Sequence, residues 1–179
     1  MQPLRSLEMW PLRIPLKVAF KHASASRAVT DSIWVEAADG SGVTGYGEAC
    51  PRTYVTREDS ESCLRFFSRW RDDLLRQIRS PLDLEQWGQA HRQEIDLAPA
   101  AWCAIELSIL DLAARTVGTS IEALLRLPEL TADFQYTAIL GDQDDASFTS
   151  QLERYLHWGF PSFKVKLSRD PARNQAKMA

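Results

Sequence analysis

Lys164 and Lys166 stand two apart in the run Phe163-Lys164-Val165-Lys166-Leu167. In an extended strand both ammonium groups point to one face, while Phe163, Val165 and Leu167 point to the other. Two like charges at close range favour the neutral amine on one of them, and that lysine can then act as a base near neutral pH. The bland alternative is a half-buried strand whose lysines sit in water. The preceding segment bears on the choice. The stretch 134–140 (FQYTAIL) is strand-like, DDASFTSQLERYLHWG is a helix closed by Gly159, and FKVKL comes next as a strand. Strand–helix–strand is the pattern of a parallel βαβ unit. Parallel strands are normally covered on both faces, so lysines facing a covered interior need a polar site there.

Other motifs weigh less. GSGVTG at residues 40–45 matches G-x-G-x-x-G, but a strand comes after it where a dinucleotide site needs a helix, so the glycines serve a hairpin. Asp142, Asp144 and Glu153 fall at positions 1, 3 and 12 of a calcium loop. Ala146 and Ser147 then occupy positions where that loop needs an oxygen ligand and a glycine. Capping of the next helix by Asp144 and Asp145 is the better account. His22, His91 and His157 are far apart, and His22 is the exception to watch because it lies in the long loop between the first two strands.

The elements that must position these groups begin with an antiparallel sheet. LRIPLKVAF (12–20) alternates, SIWVEAA puts Ile33, Val35 and Ala37 on one face, and VTGYGEA comes after a turn at residues 39–42. The stretch KHASASRAVTD between the first two reads as a polar loop. The period then changes to that of helices. Thr56 is expected to start one, with Asp59 in a capping-box position and Leu64, Phe67, Leu74, Leu75 and Ile78 on its apolar side. Ser80-Pro81-Leu82-Asp83 starts another. Pro99 opens a third, apolar nearly all round and therefore central, with an Asp111–Arg115 pair and a stop at Gly118. A short helix is expected over Ile121 to Leu127.

Composition sets the class. The chain of 179 residues is 45% hydrophobic and 25% charged, with net charge −3. That suits a globular protein without the basic face of a nucleic-acid binder. No apolar run approaches the roughly 18 residues of a membrane span, and the N-terminus lacks the apolar core of a signal peptide. A cytoplasmic setting is expected. Cys50, Cys63 and Cys103 have no C-x-x-C spacing and read as reduced thiols.

The order of parts resembles the enolase superfamily, and more narrowly its muconate-lactonizing-enzyme subgroup of dipeptide epimerases, cycloisomerases and o-succinylbenzoate synthases. The resemblance rests on GYGEACPRTYVT (45–56), AAWCAIELSILDLAAR (100–115) and FKVKL (163–167). It implies an α+β capping domain over residues 1–132, a three-stranded meander and then helices. The first β-α-β of a TIM-type (β/α) barrel occupies 133–179. It further implies a Mg²⁺-dependent isomerase that removes a proton next to a carboxylate, a type of site served by a Lys or His base with Mg²⁺. Matched by motif, Lys166 is the acid/base and Lys164 tunes it and holds the substrate carboxylate. The loop Ala19 to Arg27, with Phe20, His22, Ser24 and Arg27, closes over a small carboxylate substrate, and Thr53 and Tyr54 form a second contact.

Two departures stand out. Arg57 replaces the glycine usual after YVT. The stretch from Asp133 to Ala179 is far short of the roughly 250 residues of a (β/α)₈ barrel, and the family's metal carboxylates come from later strands. The expectation is an N-terminal portion, inactive alone, with no metal ligands of its own and able to associate through exposed barrel strands. The competing reading is a non-catalytic binding or scaffold module that kept the capping domain.

Overall fold

The computed structural model describes residues 1–22 and 25–178, with the side chains of residues 18, 20–22, 25 and 26 outside the description. It divides into two units, one of residues 1–14 and 30–129 and the other of residues 15–29 and 130–179. The strands of the first half are β1 (Leu4–Leu12), β2 (Pro15–His22), β3 (Ala25–Val29), β4 (Ser32–Asp39) and β5 (Thr44–Ala49).

In the first unit, β1, β4 and β5 form an antiparallel sheet in that order. Ile33, Val35 and Ala37 are fully buried, as their alternation requires. Their partner strand differs from expectation. Met9 lies opposite Val35 and Leu7 opposite Ala37, so the meander begins at Leu4 and not at Leu12. An irregularity between Leu4 and Ser6 breaks the alternation of β1, which hid it in the sequence. Pro11 is tolerated because β1 is an edge. The expected polar loop is also corrected. Residues 15–22 and 25–29 pair as two antiparallel strands, with Phe20 opposite Arg27 and His22 opposite Ala25.

The helices of this unit are α1 (Ser60–Gln77), α2 (Pro81–Ala90), α3 (Arg92–Asp96), α4 (Pro99–Thr116) and α5 (Ile121–Leu124). α1 starts at Asp59, not Thr56. The Asp59 carboxylate accepts the Ser62 N–H at 2.7 Å, and Ser62 Oγ accepts the Asp59 N–H at 2.9 Å. Thr56 is already used, its N–H bound to the Arg52 carbonyl at 2.8 Å. α2 is capped as read, by Ser80 Oγ on the Asp83 N–H. α5 ends at Leu124, three residues short of expectation.

α4 is the core. Ala101, Ala104, Ile105, Ser108, Ile109 and Leu112 are fully buried. It lies on β5 so closely that a Cβ at Gly47 would sit 2.0 Å from the Ala104 carbonyl oxygen, and one at Gly45 2.2 Å from the Ser108 oxygen. Only glycine fits there. At the N-terminus of α4, Ala98 offers no side-chain cap. Glu58, 2% exposed, replaces it, accepting the Ala100 N–H at 2.8 Å and the Ala101 N–H at 3.0 Å. At the far end Asp111 accepts both the Tyr46 N–H of β5, at 2.9 Å, and Arg115 Nε, at 2.7 Å.

The second unit holds β6 (Ala138–Leu140), α6 (Asp145–His157), β7 (Phe163–Val165) and α7 (Pro171–Met178). β6 and β7 pair in parallel, Ala138 with Phe163 and Leu140 with Val165. β6 is shorter than expected. Phe134 and Tyr136 are exposed and lie outside the paired register. The sequence reading contains no counterpart of α7.

No helix among the described residues is long and apolar enough to cross a membrane. Two outcomes test this core. Gly47→Ala should lower unfolding free energy in urea by about 3 kcal/mol, the upper end of overpacking costs. Gly42→Ala, at φ +82° with open space around it, should lower it by only about 1 kcal/mol. A smaller loss at Gly47 than at Gly42 would refute the close contact. Burial and the neighbouring Glu58 carboxylate push the Cys63 thiol up to about 12. A thiol held protonated is unreactive. Mass spectrometry after alkylation at pH 8 should show Cys50 and Cys103 modified and Cys63 modified only after unfolding; early labelling of Cys63 would contradict the burial.

Candidate active site

The two lysines stand on one face of β7 and its continuation. Lys164 is exposed and pairs in register with Ile139, itself exposed. Ala138 and Leu140 point the other way and are buried under α6, together with Phe148. Helix and lysines therefore take opposite faces of the strand pair. The Lys166 N–H donates to the Leu140 carbonyl at 2.8 Å, carrying the parallel ladder one residue past the end of β7. Lys166 is half-buried.

The turn beyond Lys166 is fixed by α7. Ser168 N–H and Oγ both donate to Asn174 Oδ1, at 2.8 and 3.0 Å, and Asn174 Nδ2 returns a bond to the Ser168 carbonyl at 3.0 Å. α7 is tied in turn to the loop after β6. Lys177, whose side chain is 3% exposed, holds Asp142 at 2.6 Å, and Arg173 reaches Asp142 at 3.6 Å and the Gln143 carbonyl. Lys177 Nζ also lies 5.6 Å from the centre of the Phe148 ring. Asp142 and Asp144 thus have partners other than a calcium ion: the first pairs with Lys177 and Arg173 of α7, and the second accepts the Ser147 N–H at 2.9 Å as the cap of α6. Asn174, Arg173 and Lys177 are all absent from the sequence reading. The one available signal is the helical start Asp170-Pro171, since Asp170 accepts the Ala172 N–H at 3.0 Å.

The remaining expected site residues are distributed between the units. Phe20 and His22 lie on the β2 backbone with their side chains outside the description, and Ser24 lies outside the described residues. Arg27, on β3, is half-buried and shares a unit with the lysines. Thr53 and Tyr54 belong to the other unit. They form the tip of a turn in which the Val55 and Thr56 N–H groups both bind the Arg52 carbonyl. The Arg52 guanidinium anchors this turn to the Asp31 carbonyl at 3.0 Å. Tyr54 is 50% exposed and Val55 69%, an apolar tip presented to solvent. Arg57 has φ +65°, the left-handed region that glycine occupies without strain.

Among the described residues no group of three or more His, Cys, Asp or Glu side chains could hold a metal ion. The residues present do not fit a Mg²⁺ site on their own, and the chemistry they carry is that of an amine pair on a strand.

The tether of α7 can be tested directly. Removing one member of a buried ion pair leaves the other uncompensated. Asp142→Ala should speed amide exchange across residues 171–178 at least tenfold by mass spectrometry. Asp144→Ala should instead speed exchange in the first turn of α6. Unchanged exchange at residues 171–178 would show that the pair does not hold the helix.

Comparisons with known proteins bear on the family and the fold. The family described as mandelate racemase / muconate lactonizing enzyme, N-terminal domain, matches residues 4–126. A hydrophobic dipeptide epimerase of Citrifermentans bemidjiense is 25% identical over 93% of this chain and 46% of its own length. An L-Lys-D/L-Arg epimerase of Methylococcus capsulatus is 28% identical over 91% of this chain and 44% of its own. Among solved structures, the N-succinyl Arg/Lys racemase of Bacillus cereus superposes with a TM-score of 0.84 at 22% identity, covering 98% of this chain and 47% of that one. The dipeptide epimerase of Methylococcus capsulatus, complexed with Mg and L-Arg-D-Lys, gives 0.78 at 22% identity, covering 99% and 49%. The chain spans about half the length of the curated relatives it matches.

Proposed function

Because this chain belongs to the mandelate racemase / muconate lactonizing enzyme family, we propose that it supplies the capping domain and one acid/base arm of an isomerase. That enzyme would be an epimerase, racemase or cycloisomerase moving a proton next to a small carboxylate. In this reading Lys166 takes the proton from, or returns it to, the α-carbon. Lys164 offers a positive charge to the substrate carboxylate and to the charge that builds on it as the proton leaves. The observation that carries the reading is the shared face of Lys164 and Lys166, opposite the face that α6 covers. Residues 1–132 as capping domain and 133–179 as the opening of a barrel belong to the same proposal, as does a cytoplasmic setting. Phe20 and His22 on β2, Arg27 on β3, Ser24, which lies outside the described residues, and Thr53 and Tyr54 on the turn, are the proposed substrate contacts.

Mg²⁺ is named with the solved dipeptide epimerases of Methylococcus capsulatus and Enterococcus faecalis. For the present protein it is a proposal at the level of the family, and the described residues offer no ligand cluster for it. When bound it would stabilise the negative charge that proton removal leaves on the carboxylate. The relatives are named as enzymes, so a scaffold without chemistry is not the favoured reading.

The test joins residues 1–179 to the C-terminal half of the Methylococcus capsulatus epimerase and tracks α-proton exchange of dipeptides in D₂O by NMR. The chain alone should show no metal-dependent exchange, and the chimera should show it. Lys166→Ala in the chimera should cut the rate by about 10³, within the range of acid/base contributions, and Lys164→Ala should cut it less. Full activity of Lys166→Ala on both epimers would remove Lys166 from the role.

A further inference from the structure

A second site lies entirely within the first unit, remote in sequence from the lysine pair and its supports. Helices α2, α3, α4 and α5 enclose a cleft of about 1020 Å³, at the upper end of the usual range for small-molecule sites. Its floor is apolar: Leu84 and Trp102 are buried, and Ile95, Leu110 and Leu124 are half-buried. Gly88 lets the wall close, since a Cβ there would already sit 3.3 Å from Trp102 Cζ2. The rim carries Glu85, Asp96, Arg92 and Arg126, all exposed and two of each sign. Their charges cancel and leave Glu106, half-buried among the lining residues, as the unbalanced one.

Of the half-buried acids of this unit, Glu36, Asp83 and Glu94 also have no ion pair among the described residues, but Glu106 is the one that lines this cleft. Asp111 has Arg115 at 2.7 Å. Asp73 accepts Trp87 Nε1 at 2.8 Å and also has Arg76 at 3.3 Å. Glu106 has the Trp102 indole as hydrogen-bond partner and, among the described residues, no ion-pair partner. A half-buried carboxylate with no ion-pair partner in an apolar cleft is a group that recognises an organic cation, by a charge-assisted hydrogen bond in a partly desolvated setting.

We propose that this cleft binds a small organic monocation with an apolar body, an alkyl- or aralkylammonium, whose charged end pairs with Glu106 while its body lies on Leu84, Ile95, Leu110 and Leu124. Burial pushes the Glu106 carboxyl up, as expected of a group awaiting a counter-charge, and the Trp102 hydrogen bond only partly opposes this. The site is independent of proton transfer at Lys166, so the two readings stand or fall separately.

Hexylamine, a cation at pH 7.5, is the probe, and 1-hexanol is its neutral counterpart. Titration of the full chain, monitored by methyl and indole NMR, should shift the Leu84, Ile95, Leu110 and Leu124 methyls and the Trp102 indole N–H. Hexanol should bind at least tenfold more weakly. Glu106→Gln, nearly isosteric, should lose at least tenfold for hexylamine and leave hexanol unchanged. Leu124→Trp should block both, which provides a second variant should Glu106→Gln fail to fold. Equal affinity for amine and alcohol would overturn the proposal, as would no response at these residues. Self-association of the chain that hexylamine displaces would also overturn it, since the cleft would then receive a side chain of a second copy and not a small molecule.

Discussion

The first unit depends on one close approach, the backbone of α4 lying against the backbone of β5. At Gly45 and Gly47 there is no room for a Cβ, so the helix sits nearer the sheet than side-chain packing would allow. Ala104 and Ser108, whose backbones face Gly47 and Gly45, are fully buried, and Ser108 returns its hydroxyl to the Ile105 carbonyl at 2.7 Å. The same approach lets Asp111 satisfy the Tyr46 N–H on an edge strand that has no further strand beside it among the described residues. It also fixes where α4 begins, and hence where Glu58 must lie to bind the Ala100 and Ala101 N–H groups.

The turn at residues 52–56 is constrained by the same approach. Upstream it is fixed by the end of β5, whose Ala49 lies opposite Ile33. Downstream it is fixed at Glu58, whose carboxylate is held by α4, and at Asp59, which caps α1. Arg52 adds a third tie through the Asp31 carbonyl. The chain must cover the last step through Arg57 in a left-handed conformation. For a residue with a Cβ this costs about 1–2 kcal/mol, which the surrounding anchors must offset. An exposed Tyr54–Val55 tip on a base held this firmly is preorganised for contact, and its apolar exposure does not imply looseness.

Much of this fold is legible in the sequence where local chemistry and long-range packing agree. Ile33, Val35 and Ala37 alternate and are buried; Ser80 and Pro99 start helices because capping and proline geometry are local matters. The misreadings share a physical origin. β1 escapes the pattern because its irregularity near Leu4 breaks the period, and the sharper alternation at residues 12–20 belongs to a strand pair of its own. Thr56 resembles a helix start, but its N–H is already committed to Arg52, a competition that no single-residue propensity records. Of the proposed site, the shared strand face of Lys164 and Lys166 can be read from their spacing, while their role comes from the βαβ context and the family resemblance. Their supports, Asn174, Arg173 and Lys177, cannot, because each acts across a turn or a strand from what it holds.

The placement of Lys166 derives from backbone bonds more than from its own side chain. Its N–H extends the parallel ladder to the Leu140 carbonyl, and two residues later Asn174 closes the turn on both the N–H and the carbonyl of Ser168. The Cα–Cβ direction at residue 166 is therefore set before any side-chain contact is made. A lysine side chain carries about 2 kcal/mol of rotamer entropy, so a base that depended on side-chain contacts to find its direction would lose most of that on ordering. Fixing the root instead leaves only the stem to order. Placing the second lysine two residues earlier repeats the same direction at no extra conformational cost, because a strand returns to the same face at every second residue. A strand end whose other face is sealed by a helix can thus hold two lysines side by side with little added ordering. The helix face supplies the burial, with Ala138 and Leu140 of β6 and Phe148 of α6 buried there, and the other face carries the lysines.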